Sequence, residues 1–310
     1  MSPTSSLRRL GLIATALLAT LGLTLAACTN ANNSEDNAAP SSGGTDVLAT
    51  FTILADMASE VAGNELTVSS LTRPGAEIHG YDPTPADIRS ANEAKLIISN
   101  GLGLEHWVDK LTQDSHAARA VASEGVDPIM IEGTSEPNPH AWMSPVIAEK
   151  YVDNITTALS ALKPEAASTF DANAKAYKEK LKKVNQEMLD GLKKLPDNER
   201  ALQTCEGAFS YLARDAKMKE SYIWPVNSEE EITPQNLRRA AEFVKSNKVP
   251  AVFCESTVDP GPKEQLMRET GAADGGTLYV DSLTEKGGEA PTYLELIRHD
   301  TTTIVEGLNK

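Results

Sequence analysis

Positive charge is scarce in this 310-residue chain: 29 Lys and Arg stand against 44 Asp and Glu, a formal net charge of −15. Nucleic acid requires clustered cationic side chains to meet its phosphates, so this balance argues against it as a partner. Hydrolase signatures are missing as well, since neither G-x-S-x-G nor H-E-x-x-H occurs anywhere. There are only three cysteines, Cys28, Cys205 and Cys254. The one extended apolar run, Leu10 to Leu25, is short for a membrane span. What is present is ordinary: 40% hydrophobic and 24% charged residues describe a globular protein of one large domain or two lobes.

The first residues carry a topological signal. Arg8 and Arg9 form a basic stretch, Leu10 to Leu25 an Ala/Leu-rich apolar core, and Leu25-Ala26-Ala27-Cys28 follows. This order resembles a bacterial lipoprotein signal (1–27) cleaved just before Cys28, and the alternative is a retained membrane anchor. Arg8 and Arg9 are the only charges before Cys28, so cleavage takes the net charge from −15 to −17. Lipid on Cys28 would then tether the mature chain to the extracytoplasmic face of a cell membrane. Residues 28–45 are Asn-, Ser-, Gly- and Ala-rich with no apolar periodicity, which predicts a flexible tether.

From Val47 onward, strand-like and helix-like segments alternate. Val47 to Leu54, Leu66 to Leu71, Lys95 to Ser99 and Pro128 to Ile131 read as strands, and Asp56 to Ala62, Pro85 to Ala94 and Leu104 to Leu111 as helices. Pro145 to Leu162 is a longer helix closed by Pro164. Glu165 to Leu195 is longer still, with Phe170, Ala174, Tyr177, Leu181, Val184, Met188, Leu192 and Leu195 on one stripe. That stripe suits packing on its own chain better than a coiled-coil seam, because small and aromatic residues are mixed along it. Alternation then resumes, with strands over Ala201 to Thr204, Ser221 to Val226, Val249 to Cys254 and Thr277 to Val280. The fold class expected is α/β: two α/β lobes with parallel sheets, 46–163 and 196–310, bridged by a long rigid helix, 164–195.

His79, His140, Glu206 and Asp281 fall at the ends of elements, two in each half. Ligands of open parallel sheets bind outside the carboxyl ends of strands, where both carboxylates are expected. Two imidazoles and two carboxylates make a borderline-to-hard donor set that can neutralise a divalent charge. Each residue also has a plainer reading: a loop histidine, a turn or cap at Asp281-Ser282, a solvated carboxylate at Glu206 or at Glu255. Spacing leaves both readings open.

Four stretches bear on the choice: Pro74-Gly75-Ala76-Glu77-Ile78-His79-Gly80-Tyr81-Asp82-Pro83-Thr84-Pro85, Asn138-Pro139-His140-Ala141-Trp142-Met143-Ser144-Pro145, Cys205-Glu206-Gly207-Ala208-Phe209, and Leu278-Tyr279-Val280-Asp281-Ser282. In this order they resemble the motifs of cluster A-I solute-binding proteins, the metal-binding lipoproteins of bacterial ABC importers. The resemblance spans 46–310. It implies one metal ion between two lobes, held by His79 and His140 from the first and Glu206 and Asp281 from the second. It also implies a monomer that delivers its ion to a cognate ABC permease.

Zinc carriers of the family typically have histidine where this chain has Glu206, and many carry a His-rich loop between the first two ligands. Only His106 and His116 lie between His79 and His140. Glu206 is similar to the manganese-binding subgroup, so Mn2+ is the expected cargo, with Zn2+ or Fe2+ as alternatives. The same resemblance implies a Cys205–Cys254 disulfide beside the metal, against the alternative of two buried thiols. Carrier chemistry is preferred over a metalloenzyme, because four protein donors tend to fill the shell that a catalytic metal keeps open. An adhesin is the remaining alternative.

Overall fold

The computed structural model describes residues 45–226 and 232–310. The leader, Cys28 and all of the tether except Thr45 lie outside the described residues. Among those described, no helix is long and apolar enough to cross a membrane.

The first half contains β1 (Val47–Ala49), α1 (Thr52–Ala62), β2 (Val68–Ser70), α2 (Pro85–Glu93), β3 (Leu96–Ser99), α3 (Val108–Thr112) and β4 (Ala118–Val121). Its strands form one parallel sheet in the order β2-β1-β3-β4. Alternating residues of β1 and β3 enter different apolar clusters. Val47, Ala49, Leu96 and Ile98 join the main core, and Leu48 and Ile97 join a smaller one with Trp107 and Leu111. A sheet covered on both faces is what short all-apolar strands require. Thr84 caps α2 through a reciprocal box with Asp87, ahead of Pro85.

Helix α4 (Pro145–Leu162) packs on the first half, and the long helix α5 (Ala167–Leu192) follows it after a 3-10 turn at Pro164–Ala166. The 26 residues of α5 span about 39 Å at 1.5 Å each. Its buried positions are Phe170, Ala174, Tyr177, Leu181, Val184, Met188 and Leu192, so the stripe packs into the chain's own core.

The second half follows as β5 (Ala201–Glu206), α6 (Ser210–Asp215), β6 (Lys219–Trp224), α7 (Pro234–Asn247), β7 (Ala251–Glu255), α8 (Gly261–Thr270), β8 (Ala273–Leu278) and α9 (Tyr293–Leu308). β5 pairs in parallel with β6, and β7 with β8. A Cys205–Cys254 disulfide holds β5 against β7 with the Cα atoms 4.9 Å apart, so the two ladders lie edge to edge. The fold class is therefore α/β, with parallel sheets on either side of a long helix.

Several local expectations shift. Helix α1 begins at Thr52, so the first strand ends at Ala49 rather than Leu54. Pro128 to Ile131 makes only a single bridge, Met130 to Pro137, and the fourth strand is β4. α3 covers the last part of the helix expected over Leu104 to Leu111. β8 starts at Ala273, earlier than Thr277, because Gly275 and Gly276 lie inside it. A Cβ at Gly275 would come within 2.4 Å of the Phe253 ring, which explains a residue of low strand propensity there.

Candidate metal centre

The loop after β2 carries His79, and its shape has identifiable causes. The Trp107 indole donates to the carbonyl of Ile78 at 3.2 Å, and the Glu77 carboxylate accepts from the backbone N–H groups of His79 and Gly80. His140 sits just before α4, whose start is fixed by the Ser144 cap and Pro145. Asn100, at the end of β3, donates to the Pro139 carbonyl at 3.1 Å and accepts from the Tyr151 hydroxyl at 2.7 Å. This places the His140 backbone against the carboxyl end of the first sheet.

Glu206 is the last residue of β5 and is paired with Trp224 of β6. A Cβ at Gly207 would come within 3.0 Å of the Tyr222 ring, so any larger residue there would press on that ring. Asp281 lies three residues beyond β8. All four side chains are withdrawn from solvent: His140 is 0%, Asp281 3% and Glu206 5% exposed, and the His79 side chain 10%.

The structure brings these four together. The Nε2 atoms of His79 and His140 face each other at 3.1 Å, and lie 3.7 and 3.5 Å from Oδ1 of Asp281. Ligand atoms of His79, His140 and Glu206 fall within 4.8 Å of one another. His79 and His140 from one half of the chain thus lie beside Glu206 and Asp281 from the other.

Electrostatics follow from that packing. Burial disfavours a charged His79, but its contact with Asp281 and the charges of Asp281, Glu206 and Glu77 push it up to about 9. Burial likewise opposes ionisation of Asp281, yet the two imidazoles hold its carboxyl well below the usual carboxylate range. The cluster is built to hold positive charge among its donors, whether that charge is a proton or a cation.

Two supporting residues were given no supporting role from the sequence. Asn138 accepts from the His140 backbone N–H at 3.0 Å, and its Oδ1 lies 3.0 Å from Nδ1 of the same imidazole. Its amide donates to the Gly207 carbonyl at 2.6 Å, which fixes which end of the amide meets the ring. With Nδ1–H donating to Asn138, the Nε2 lone pair of His140 is free to bind a metal. Glu255, read from sequence as a solvated carboxylate, is 3% exposed, and its Oε2 accepts from the Glu206 backbone N–H at 3.2 Å. Burial and the charge of Glu206 raise the Glu255 carboxyl well above its ordinary value. The signal was there to find. The dipeptide Cys-Glu occurs at the ends of both β5 and β7, and a bridge between the cysteines makes the two glutamates neighbours.

Comparison with known proteins places this geometry. Residues 47–307 match the family model described as zinc-uptake complex component A, periplasmic. The iron-binding protein YfeA of Yersinia pestis is 45% identical over 268 residues, covering 85% of this chain and 86% of that protein. The manganese ABC transporter substrate-binding lipoprotein PsaA of Streptococcus mitis is 33% identical, covering 85% and 89% respectively. The solved structure of a Mn-bound periplasmic metal-binding protein from Candidatus Liberibacter asiaticus superposes with a TM-score of 0.80 at 38% identity, covering 84% of this chain and 98% of that one.

Proposed function

This chain belongs to the zinc-uptake component A family of metal ABC transporter substrate-binding proteins, and we propose that within it the protein is a carrier of Mn2+. It captures the ion outside the membrane between His79, His140, Glu206 and Asp281, and delivers it to a cognate ABC permease. The observation that carries this reading is the facing of two imidazole Nε2 atoms, 3.1 Å apart, toward the buried Asp281 and Glu206 carboxylates. Two carboxylates neutralise a divalent cation, and oxygen donors in half the set suit Mn2+ better than three imidazoles do. Support from relatives is consistent, since proteins named for manganese are among them.

Fe2+ is the second reading, favoured by the 45% identity to a protein named iron-binding. Zn2+ remains the thermodynamic competitor, because Mn2+ is the weakest binder of the divalent series at a given site. Catalysis is disfavoured, since four protein donors, two of them able to bind through both oxygens, leave little room for substrate water. Cleavage before Cys28 and lipidation of that residue would anchor a monomeric carrier on the extracytoplasmic face, as in relatives named lipoproteins. The discriminating experiment is metal analysis of the protein purified from its own host, followed by Mn2+/Zn2+ competition. Predominant manganese is expected, and predominant zinc or iron from the native compartment would overturn the assignment.

A further inference from the structure

Glu77 stands two residues before His79 and, unlike the four converging donors, it is exposed. Its carboxylate is nevertheless held in place. One oxygen accepts from the His79 backbone N–H and the other from that of Gly80, the latter at 2.9 Å. Each carboxylate oxygen has two lone pairs, so both keep accepting capacity after these bonds.

Ligand atoms of Glu77, His79 and Asp281 all lie within 4.8 Å of one another. His79 also belongs to the inner set with His140 and Glu206, so the two groups share an imidazole. Asp281 is 3% exposed and its Oδ1 makes no hydrogen bond of ordinary length; Nε2 of His140 and of His79 lie 3.5 and 3.7 Å away, so this oxygen is shared between the inner and outer groups. Exposure falls steadily inward, from Glu77 through the His79 side chain at 10% and Asp281 at 3% to His140 at 0%.

We propose that Glu77, His79 and Asp281 form an outer transit site through which a divalent cation passes to and from the inner donors. The inference rests on the reading of His79, His140, Glu206 and Asp281 as cargo ligands. A hydrated ion arriving from solvent first meets a preorganised carboxylate. It trades water for His79 and Asp281 next, and then exchanges Glu77 for His140 and Glu206. Shedding water in steps avoids stripping the whole shell at once, which is the costly part of binding a hard cation. A site on the path stabilises the passing ion in both directions. It therefore changes both rates in the same direction.

The test is stopped-flow binding of Mn2+ alone to the full chain, read by tryptophan emission, since the Trp142 ring lies 5.1 Å from that of His140. Glu77→Gln is expected to slow association by about tenfold, the scale of local electrostatic steering, and to slow dissociation with it. Glu77→Asp, which keeps the charge, should recover part of both rates. An unchanged association rate in Glu77→Gln overturns the transit site. A looser Kd arising only from faster dissociation also overturns it, because that is the signature of a lost loop cap. Asp281→Ala separates the two levels: wild-type Mn2+ affinity in that variant would fail the cargo reading itself. If that variant loses binding while Glu77→Gln behaves as wild type, only the transit site fails.

Discussion

Glu206 and Asp281 come from the same half of the chain, yet they are held in opposite ways. Glu206 is fixed from behind by its own half: it ends β5, follows a disulfide-bonded cysteine, and donates its backbone N–H to the buried Glu255. Asp281 is fixed from in front, by the other half. The Trp142 indole donates to the Val280 carbonyl at 3.1 Å, and the Gly75 N–H donates to the Ser282 hydroxyl at 2.8 Å and to the Leu283 carbonyl at 3.1 Å. The Leu283 N–H in turn donates to the Thr52 hydroxyl at 3.0 Å. Separating the halves as rigid bodies would break all of these buried bonds, each expensive to leave unmade. The long helix α5 also packs into the shared core along its length. Release of the ion is therefore expected through local motion of the second-half loops around Glu206 and Asp281.

The largest effect should come from the carboxylate held by the opposite half. Asp281→Ala is expected to weaken Mn2+ binding by more than about a hundredfold, beyond what loss of a supporting residue costs. The fold should be intact by circular dichroism, and unchanged metal content would remove Asp281 from the site. On the other side, a Cys205→Ser/Cys254→Ser variant should lose about 2–4 kcal/mol of stability in urea titration, given a loop of 49 residues. Because the bridge adjoins Glu206, reduction should also weaken Mn2+ binding. Equal affinities for intact and reduced protein would show that Glu255 and the β5 backbone suffice.

Asn138 links the two modes of support, since it orients His140 and bonds Gly207 across the site. Asn138→Ala is expected to lower affinity about 10–100-fold in calorimetric titration, mostly by freeing the His140 tautomer. The prediction with the smallest effect on metal affinity lies away from the proposed ligands, where the two halves also meet. Oδ2 of Asp56 accepts from the Tyr293 N–H at 2.8 Å, and burial together with the charges of Glu60 and Glu295 pushes the Asp56 carboxyl up to about 6. A raised acid binds its proton more tightly when folded. Its ionisation therefore costs stability above about pH 6, and the cost vanishes as pH falls below the ordinary carboxylate value near 4. Asp56→Asn should stabilise the protein at pH 7 by up to about 3 kcal/mol and have little effect near pH 4, read from melts across that range.

Most of this framework was legible from residues. Ser/Thr-Pro pairs marked helix starts at Thr84, Ser144 and Thr233, because the cap and the proline each satisfy a known need of the first turn. The stripe on α5 was read from Phe170 to Leu192, whereas Leu195, expected to continue it, lies beyond the end of the helix. Strand β4 was missed because it is an edge strand with three of its four residues exposed, so no apolar pattern announces it. At the site, motif order singled out four side chains, but only the fold shows His79 and His140 meeting, since 61 positions separate them. Glu255 was misjudged for the same reason: a carboxylate's burial depends on its neighbouring strand, which lies far away in sequence.

The position of the bound ion decides whether these four residues are its ligands. A crystal structure of the Mn2+-loaded protein, with anomalous data collected at the manganese edge, tests that in one measurement. One peak bound by the Nε2 atoms of His79 and His140 and by carboxylate oxygens of Glu206 and Asp281 is the predicted result. A peak that omits either carboxylate, or that lies elsewhere on the chain, would contradict it.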